Sequence, residues 1–309
     1  MIADGHSLKP YWSGTLAPHL DNGCKVVEYY RDTYAELLVD EDHDYFRFSE
    51  FPPEEHIEDF YDNVYPATRR HHWYNVDSQY AEERWSTVVR KITQLSEVLD
   101  MNIRDVRIHD AGCGFGGLVG MLLARGYLAT GTDLSAEAIA GGRSERSNHF
   151  IFHDRAEHYL ESAPAQHVIV LNHMIEHSLA PLDLVTSLGK FLAPGGFILI
   201  RCPNSRFLRS TAVSITANWY GYPKHLHYFG PSSLRRLLIA AKFDDVTVES
   251  TDTDMWIDGE MNALEAILRG RGILFASRDE LLRHLLESRQ AKEIEAVGRH
   301  WPDKPKERE

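Results

Sequence analysis

The 309-residue sequence has little cysteine and a marked excess of acidic over basic side chains. Its three cysteines, Cys24, Cys113 and Cys202, are far apart and form no C-x-x-C pair, which argues against a disulfide framework and a zinc ribbon. The 33 lysines and arginines against 46 aspartates and glutamates give a net charge of −13, without a dense basic cluster. The sequence therefore predicts a small-molecule partner and no nucleic acid.

Long apolar runs are also missing. No stretch approaches the roughly 18 consecutive apolar residues that a membrane span needs, so no membrane contact is expected. The opening residues, MIADGHSLKP, contain neither the basic nor the apolar segment of a secretory signal. With so few cysteines, these features predict a reduced, cytoplasmic protein. The oligomeric state stays open, with a homodimer among the alternatives.

The middle of the chain alternates between strand and helix patterns. Buried-strand runs such as VRIHDAG, HVIVLNHM and GGFILIRCPN are separated by helical runs such as GLVGMLLARGY and APLDLVTSLGKFL. Strands that alternate with helices of this length imply parallel pairing. The predicted fold class is α/β, with a doubly wound, Rossmann-like, mostly parallel sheet.

The two ends differ from this middle part. Residues 1–77 form an N-terminal α+β extension, in which YAELLV and YFRFSE predict two strands around the turn DEDHD. Residues 78–255 form the central domain, with a helix from Ser78 to Asp100 and an insertion at 203–230. Residues 256–309 are predicted to be a C-terminal helical extension and tail. There SRDELLRHLLESRQAKEIEAVG predicts one amphipathic helix, which begins at a capping box of Ser277 and Glu280.

The strongest chemical signal is the glycine loop DAGCGFGG, Asp110 to Gly117, between a predicted strand and a helix. Its glycines allow tight turns and leave room for a ligand against the main chain. Asp133 ends the next strand, 21 residues after Gly112, where a nucleoside-binding fold places a carboxylate for ribose hydroxyls. Loop and acid together predict nucleoside binding.

The loop also bears on which nucleoside cofactor it takes. Dinucleotide sites show G-x-G-x-x-G, whereas here the third glycine comes early and Asp110 lies two residues before the first. A carboxylate there favours a cationic group over a pyrophosphate. S-adenosylmethionine carries an ammonium and a sulfonium and no phosphate, so the local chemistry favours it. Two other classes stay open: an NAD-dependent oxidoreductase and a non-catalytic nucleoside-binding protein.

The order of the motifs resembles a known family. VRIHDAGCGFGG, GTDLS, HDRAEHY, VIVLNHMIEHSLAPLDLV, LAPGGFILIRCPN and HLHYFGPSSLRRLLIAAKF occur as in class I S-adenosylmethionine-dependent methyltransferases. The sequence is most similar to the small-molecule subgroup related to ubiquinone-biosynthesis O-methyltransferases and to sugar and natural-product methyltransferases. The resemblance covers Val106 to Ser250, about half the chain. It implies methyl transfer from S-adenosylmethionine to a small-molecule acceptor, with S-adenosylhomocysteine as product.

The resemblance also implies site residues for the cofactor. The glycine loop would line its methionine part, and Asp110 would orient its amino group. Asp133 would hold the ribose, and Leu134 would pack on adenine. The full set of implied cofactor-binding residues is Asp110, Gly112, Cys113, Gly114, Gly116, Asp133, Leu134, Asp154, Arg155, Ala156 and Asn172. Among these, Asp154 would accept from the adenine amine and Asn172 would face the sulfonium.

Histidines are the candidates for catalysis. A hydroxyl acceptor must lose its proton during methyl transfer, and imidazole has a suitable pKa. His225 and His227 share a face of an extended segment, and His173 follows the fourth strand of the sheet. The alternative is that the first two merely brace the loop before the next helix. Hydroxyl methylation is favoured; nitrogen and carbon acceptors are alternatives, and no N-P-P-Y motif for nucleobase amines follows the fourth strand.

No metal is the primary expectation. The resemblance to quinone-type O-methyltransferases implies one alternative, in which His173, Glu176 and His177 form a divalent-metal site beside the acceptor; two imidazoles and a carboxylate suit a transition metal. The acceptor pocket itself is predicted to involve Trp73, Tyr74, Tyr222 and His177, under residues 1–77 and the 203–230 insertion. His177 hydrogen-bonded to a neighbouring loop, and Trp73 and Tyr74 in a surface turn, are the alternatives. The subgroup's cysteine-rich N-terminal module is absent, since this region holds one cysteine, Cys24.

Overall fold

The structure is a computed structural model. It describes residues 9–15, 34–51, 53, 55, 57, 79–146, 148–210, 225–251, 277–288, 291 and 293–301. Trp73, Tyr74 and Tyr222 of the predicted acceptor pocket lie outside these residues.

A seven-stranded sheet forms the centre of the described chain. Its strands are β4 (Arg107–Ala111), β5 (Leu128–Asp133), β6 (Ile151–His153), β7 (Gln166–Asn172), β8 (Leu192–Pro203), β10 (Asp244–Thr251) and β11 (Glu293–Arg299). Their order is β10-β11-β8-β7-β4-β5-β6. The pairs from β6 to β8 are parallel, and β11 runs antiparallel to both β8 and β10. The predicted α/β class with a mostly parallel sheet is confirmed.

Helices cover both faces of this sheet. They are α1 (Gln79–Val98), α2 (Gly117–Ala124), α3 (Ala136–Arg146), α4 (Ala156–Ser162), α5 (Pro181–Gly189), α6 (Ser205–Ser210), α7 (Pro231–Ala240) and α8 (Arg278–Glu287), with 3-10 turns at Ile103–Asp105 and Ile175–His177. Alternate residues of β7 face opposite cores, because side chains of a strand alternate between its two faces. Val168 and Val170 pack in the cluster that includes residues of α1 and α2, whereas Ile169 and Leu171 pack in the cluster that includes α5 and α7.

The C-terminal helix prediction is wrong beyond residue 287. Helix α8 begins as expected, since the side chain of Ser277 accepts from the backbone N–H of Glu280. The chain then forms strand β11 inside the main sheet, where it pairs with β8 and β10. The run EIEAVG has the two-residue period of a strand, with Glu293 and Glu295 on one face, and burial on both faces outweighs helix propensity.

A second, four-stranded sheet has the order β1-β2-β3-β9. Strands β1 (Lys9–Thr15), β2 (Tyr34–Asp40) and β3 (Tyr45–Phe48) come from the N-terminal region, and β9 (His227–Tyr228) from the 203–230 insertion. The predicted strand pair around DEDHD is therefore confirmed. Arg206 ties this sheet to the main one, because its Nη2 lies 2.7 Å from Oδ2 of Asp44.

None of the helices in the described part of the chain is long and apolar enough to cross a membrane.

Candidate functional site

The glycine loop joins β4 to α2 at the carboxyl edge of the sheet. The strand order reverses between β4 and β7, and α/β sheets bind ligands at such a switch point. Gly112 has a φ of +81°, and a Cβ there would lie 2.7 Å from Cγ of Met174. Gly114 has a φ of +54°, and a Cβ there would meet nothing within 4 Å. The loop is thus closed against Met174 on one side and open at Gly114.

Asp133 holds the loop in place from β5. Its Oδ2 accepts from the backbone N–H of Gly114 at 2.8 Å, and its Oδ1 accepts from that of Ser135 at 2.8 Å. Burial raises the pKa of this carboxyl, and the two N–H donors oppose the rise. Leu134 beside it is 42% exposed, which leaves an apolar surface next to the acid.

Asp110 is buried at the end of β4. Its Oδ1 has no hydrogen-bond partner among the described residues. Burial, and then the negative charge of Asp133, raise the pKa of Asp110 to about 7. A buried carboxyl with an open oxygen is stabilised in its charged form by a cation. This site therefore fits a cofactor that brings positive charge.

Asp154 lies beside Asp133, because β5 and β6 are parallel neighbours. Its backbone N–H donates to the carbonyl of Asp133 at 3.2 Å. Its carboxylate lies 2.8 Å and 2.9 Å from Nδ1 of His158, and Oδ1 accepts from the N–H of Arg155. Hydrogen bonding to Asp154 raises the pKa of His158. Arg155 and Ala156 form the N-terminus of α4, so all three predicted adenine-side residues lie at the same edge as Asp133.

His173 follows Asn172 at the end of β7, and its backbone is left-handed, with a φ of +54°. Its Nε2 lies 3.0 Å from Oε1 of Glu293, and its Nδ1 lies 3.4 Å from Oε1 of Glu176. Burial opposes a charge on this ring, but the two carboxylates outweigh it and raise the pKa of His173 to about 9. The ring is therefore an imidazolium at neutral pH, which is a poor general base.

A buried ion chain continues from His173 into the sheet. Glu293 also accepts from Nη2 of Arg201 at 2.9 Å, and Nη1 of Arg201 donates to Thr87 on α1 at 2.7 Å. Arg201 is only 1% exposed. Sequence analysis missed Arg201 and Glu293; the alternation of EIEA in β11, with an arginine in the neighbouring strand, was the available signal.

Glu176, His177 and His225 form a cluster beyond Met174. One ligand-type atom of each lies within 4.8 Å of the other two. Glu176 is 1% exposed and His225 9% exposed. The backbone N–H of Leu226 donates to the carbonyl of Glu176 at 2.8 Å, which ties the insertion to the 3-10 turn after β7. The structure thus brings His177 and His225 together, although they are far apart in sequence.

His227 lies apart from that cluster, in strand β9 of the small sheet. Its Nδ1 lies 2.5 Å from Oη of Tyr45, and its ring stacks on Tyr45 and Phe229. Burial, and then the charge of Arg47, lower the pKa of His227 to about 3. Burial also raises the pKa of Tyr45. His227 is therefore a neutral ring in an aromatic cluster.

Comparison with known proteins agrees with this geometry. Residues 79–248 match the methyltransferase domain family. The chain is 24% identical over 195 residues to a malonyl-[acyl-carrier protein] O-methyltransferase of a Marinomonas species, covering 60% of this chain and 70% of that protein. It is 29% identical over 161 residues to a ubiquinone biosynthesis O-methyltransferase of Psychrobacter cryohalolentis, covering 47% and 61%.

Solved structures show the same fold. The plantazolicin methyltransferase BamL, in complex with a triazolic desmethylPZN analog and SAH, has a TM-score of 0.54 at 16% identity, covering 79% of this chain and 94% of that chain. Magnesium protoporphyrin IX methyltransferase from Synechocystis PCC 6803, with bound SAM, has a TM-score of 0.50 at 10% identity, covering 82% and 99%.

The fold and the glycine-loop site define a class I α/β methyltransferase. The chain belongs to the methyltransferase domain family and is an S-adenosylmethionine-dependent methyltransferase of the small-molecule type.

Proposed function

We propose that this methyltransferase transfers the methyl group of S-adenosylmethionine to a hydroxyl oxygen of a small molecule, of the sugar, quinone or natural-product type. The observation that carries the proposal is the cluster of Glu176, His177 and His225 beside Met174, which packs on Gly112. A hydroxyl must lose its proton as it attacks the methyl carbon. Two imidazoles and a carboxylate at the edge of the cofactor loop suit that task. Both curated relatives are named as O-methyltransferases, which also supports oxygen as the acceptor.

The residues of this chain would bind and orient the cofactor, which supplies a methyl group activated by its sulfonium. Asp110 would offer its open Oδ1 to the positive charge of the methionine part. Asp133 would accept from ribose hydroxyls, and Leu134 would cover one face of adenine. Asp154, Arg155 and Ala156 would lie on the adenine side and Asn172 on the sulfonium side, as the sequence predicts. These roles rest on position at the carboxyl edge of β4 to β7.

Of the three predicted catalytic histidines, His225 is the one to which this proposal assigns removal of the acceptor proton. Its neighbours, Glu176 and His177, lie at the site, whereas His173 is an ion-paired cation and His227 packs in the small sheet. We infer that the acceptor lies between the carboxyl edge of the main sheet and the small sheet. Trp73, Tyr74 and Tyr222 remain predicted wall residues of that pocket.

Product analysis tests the acceptor class. The protein would be incubated with methyl-labelled S-adenosylmethionine and a matched panel in which one scaffold carries a hydroxyl, an amine or an acidic C–H group. We expect label in the methyl ether, identified by mass spectrometry and NMR. Label found solely on nitrogen or carbon would overturn hydroxyl methylation. Calorimetric titration with S-adenosylhomocysteine and with NAD checks the cofactor, since binding of NAD alone would favour an oxidoreductase.

A further inference from the structure

We propose that Glu293, on β11, is a positioning residue for S-adenosylmethionine, because it holds the turn after β7 in the shape that closes the glycine loop. Glu293 lies beyond residue 248, where the match to the methyltransferase domain family ends. This role concerns cofactor binding, so it does not depend on which acceptor atom receives the methyl group.

The turn after β7 has a strained backbone at its first residue. His173 is left-handed, with a φ of +54°. This conformation crowds the Cβ of any residue other than glycine, which reduces its population by roughly tenfold. Such strain persists where surrounding contacts compensate for it, and it is typical of ligand sites. The shape of the turn therefore depends on the contacts that hold His173.

Two carboxylates and one carbonyl hold His173 in this conformation. Its Nε2 lies 3.0 Å from Oε1 of Glu293, and its Nδ1 lies 3.4 Å from Oε1 of Glu176. Its backbone N–H donates to the carbonyl of Arg201 at 2.9 Å. The contact with Glu293 is the shorter of the two ion pairs. Because both ring nitrogens are held, the direction of the side chain is fixed.

Glu293 is itself fixed in place. Its Oε2 accepts from Nη2 of the buried Arg201 at 2.9 Å. Nη1 of Arg201 in turn donates to Oγ1 of Thr87 on α1 at 2.7 Å. A side chain that is locked by burial and hydrogen bonds can orient its neighbour precisely enough for a binding site. The carboxylate of Glu293 is therefore a rigid support for the imidazole of His173.

The turn matters for the cofactor because of the residues on either side of His173. Met174 follows it and closes the glycine loop, since a Cβ at Gly112 would lie 2.7 Å from Cγ of Met174. Asn172 precedes it at the carboxyl end of β7, at the edge where such sheets bind ligands. A change in the backbone of His173 would redirect the chain and move Met174 away from the loop. Glu293 thus acts on the cofactor site through the conformation of His173.

The same strand supplies a matched control. Glu295 lies on the same face of β11 and is equally buried, at 6% exposure against 5% for Glu293. Its Oε2 lies 3.8 Å from Nε of Arg201, and its Oε1 lies 3.1 Å from Nζ of Lys91. Loss of the charge of Glu295 therefore disturbs the same buried ion network without removing a contact of His173.

Calorimetric titration of the full chain with S-adenosylhomocysteine tests this role. Glu293→Gln keeps an oxygen acceptor for Arg201 and removes the charge that holds the imidazolium. We expect it to weaken binding about tenfold, because a smaller fraction of the molecules then has the competent turn. Glu295→Gln should bind within about twofold of the wild type. His173→Gly takes a left-handed backbone without ion pairs, so adding Glu293→Gln to it should cost less than about twofold.

Circular dichroism and denaturant unfolding establish that each variant is folded before titration. Where Glu293→Gln does not fold, Glu293→Asp replaces it with the same expected loss, because it keeps a charge for Arg201 and withdraws the carboxylate from His173 by one methylene. Wild-type affinity of a folded Glu293 variant overturns the positioning role. Equal losses in Glu293→Gln and Glu295→Gln also overturn it, since they would show a general structural effect.

A tenfold loss from Glu293→Gln in the His173→Gly background likewise overturns the role, because Glu293 would then not act through this turn. The proposed function fails separately. Label solely on nitrogen or carbon in the product analysis would reject hydroxyl methylation and leave these binding results as they are.

Discussion

Nε2 of His173, at the carboxyl end of β7, lies 3.0 Å from Oε1 of Glu293 on β11. Glu293 in turn accepts from the buried guanidinium of Arg201 on β8. These contacts connect three neighbouring strands of the sheet to the segment that carries Glu176 and His177. A strand near the C-terminus thereby positions side chains at the candidate acceptor site. Strand β11 contributes to this site through the negative charge of Glu293.

The His173 ion pairs predict a specific pH dependence of stability. The pKa of His173 is raised from 6.5 to about 9, so its stabilisation is fully present below pH 6.5 and is lost as the pH rises through 9. We expect His173→Asn to lower the free energy of unfolding by on the order of 2 kcal/mol at pH 6. Asparagine is chosen because it tolerates a left-handed backbone. Denaturant unfolding between pH 6 and 9.5 measures the difference, which should shrink as the pH rises.

Gly120→Ala in α2, which adds and removes no titratable group, is the control for this series, and its effect should not change over the same pH range. A constant difference between wild type and His173→Asn from pH 6 to 9.5 would show that His173 is not charged in the folded protein.

The raised pKa of Asp110 predicts that the protein binds its cofactor more weakly at acidic pH. Its pKa of about 7 means that the carboxyl is largely protonated at pH 6, whereas a cationic cofactor binds the ionised form. We expect the affinity for S-adenosylmethionine to fall about tenfold per pH unit below 7, because binding releases one proton. Calorimetry from pH 5.5 to 8 in buffers of different ionisation enthalpy measures both the affinity and the proton.

Asp110→Asn should bind weakly and lose this pH dependence, whereas Asp279→Asn on the exposed face of α8 should retain it. An unchanged affinity of wild-type protein across the pH range would assign the cation-binding role to another group.

The central sheet was predictable because its signals are local. Strand β4, the glycine loop and Asp133 each show a short pattern of residues, and parallel strands bring such patterns to one edge. Strand β11 was not predicted, because EIEAVG follows a well-capped helix without a strong break and its Glu and Ala residues are also good helix formers. Burial between β8 and β10 determines its structure, and burial depends on the whole fold.

The same difference holds within the site. The left-handed turn at Gly112 could be predicted from sequence, whereas the proximity of His225 to His177 could not. That proximity depends on the pairing of β9 with β3 and on the Leu226–Glu176 hydrogen bond, both between segments far apart in sequence. The lowered pKa of His227 could not be predicted from the sequence either, because it results from burial of the ring beside Tyr45 in the folded protein.

Substitution of Gly112 is expected to affect mainly stability, whereas substitution of Gly114 is expected to affect mainly cofactor binding. Gly112→Ala places a Cβ 2.7 Å from Met174 in a left-handed residue, so we expect a loss of stability of about 2 kcal/mol or more. Gly114→Ala meets no atom within 4 Å, so its cost is limited to the backbone, about 1 kcal/mol. Its methyl group points into open space at the cofactor edge, so affinity for S-adenosylmethionine should fall clearly. Thermal unfolding and calorimetry on both variants measure the two effects.

Gly120→Ala inside helix α2 is the matched control, because its nearest contact, Asn148, is at an ordinary 3.9 Å. It should preserve both stability and affinity. If Gly114→Ala binds the cofactor like the wild type, the cofactor does not pass over this glycine.

Substitution of His225 is expected to impair turnover, whereas substitution of His227 is expected to impair stability. His225→Ala removes a side chain from the cluster of Glu176, His177 and His225, which we propose to face the acceptor, so kcat should fall by about 10² or more while cofactor affinity is kept. His227→Ala removes a buried ring and leaves the hydroxyl of Tyr45 without its partner, so stability should fall by about 2 kcal/mol. Steady-state kinetics and denaturant unfolding on both variants separate the two.

Tyr45→Phe provides the control for His227, because it breaks the same hydrogen bond from the other side while the imidazole remains. It should lower stability by about 1 kcal/mol or more and leave kcat unchanged below the unfolding temperature. A large loss of kcat in folded His227→Ala, with wild-type turnover in Tyr45→Phe, would instead make His227 the base. The imidazole would then have to leave the aromatic cluster during the reaction, since its present surroundings hold its pKa near 3. With that pKa it would remain neutral and weakly basic throughout the neutral pH range, which is why His225 is the stronger candidate.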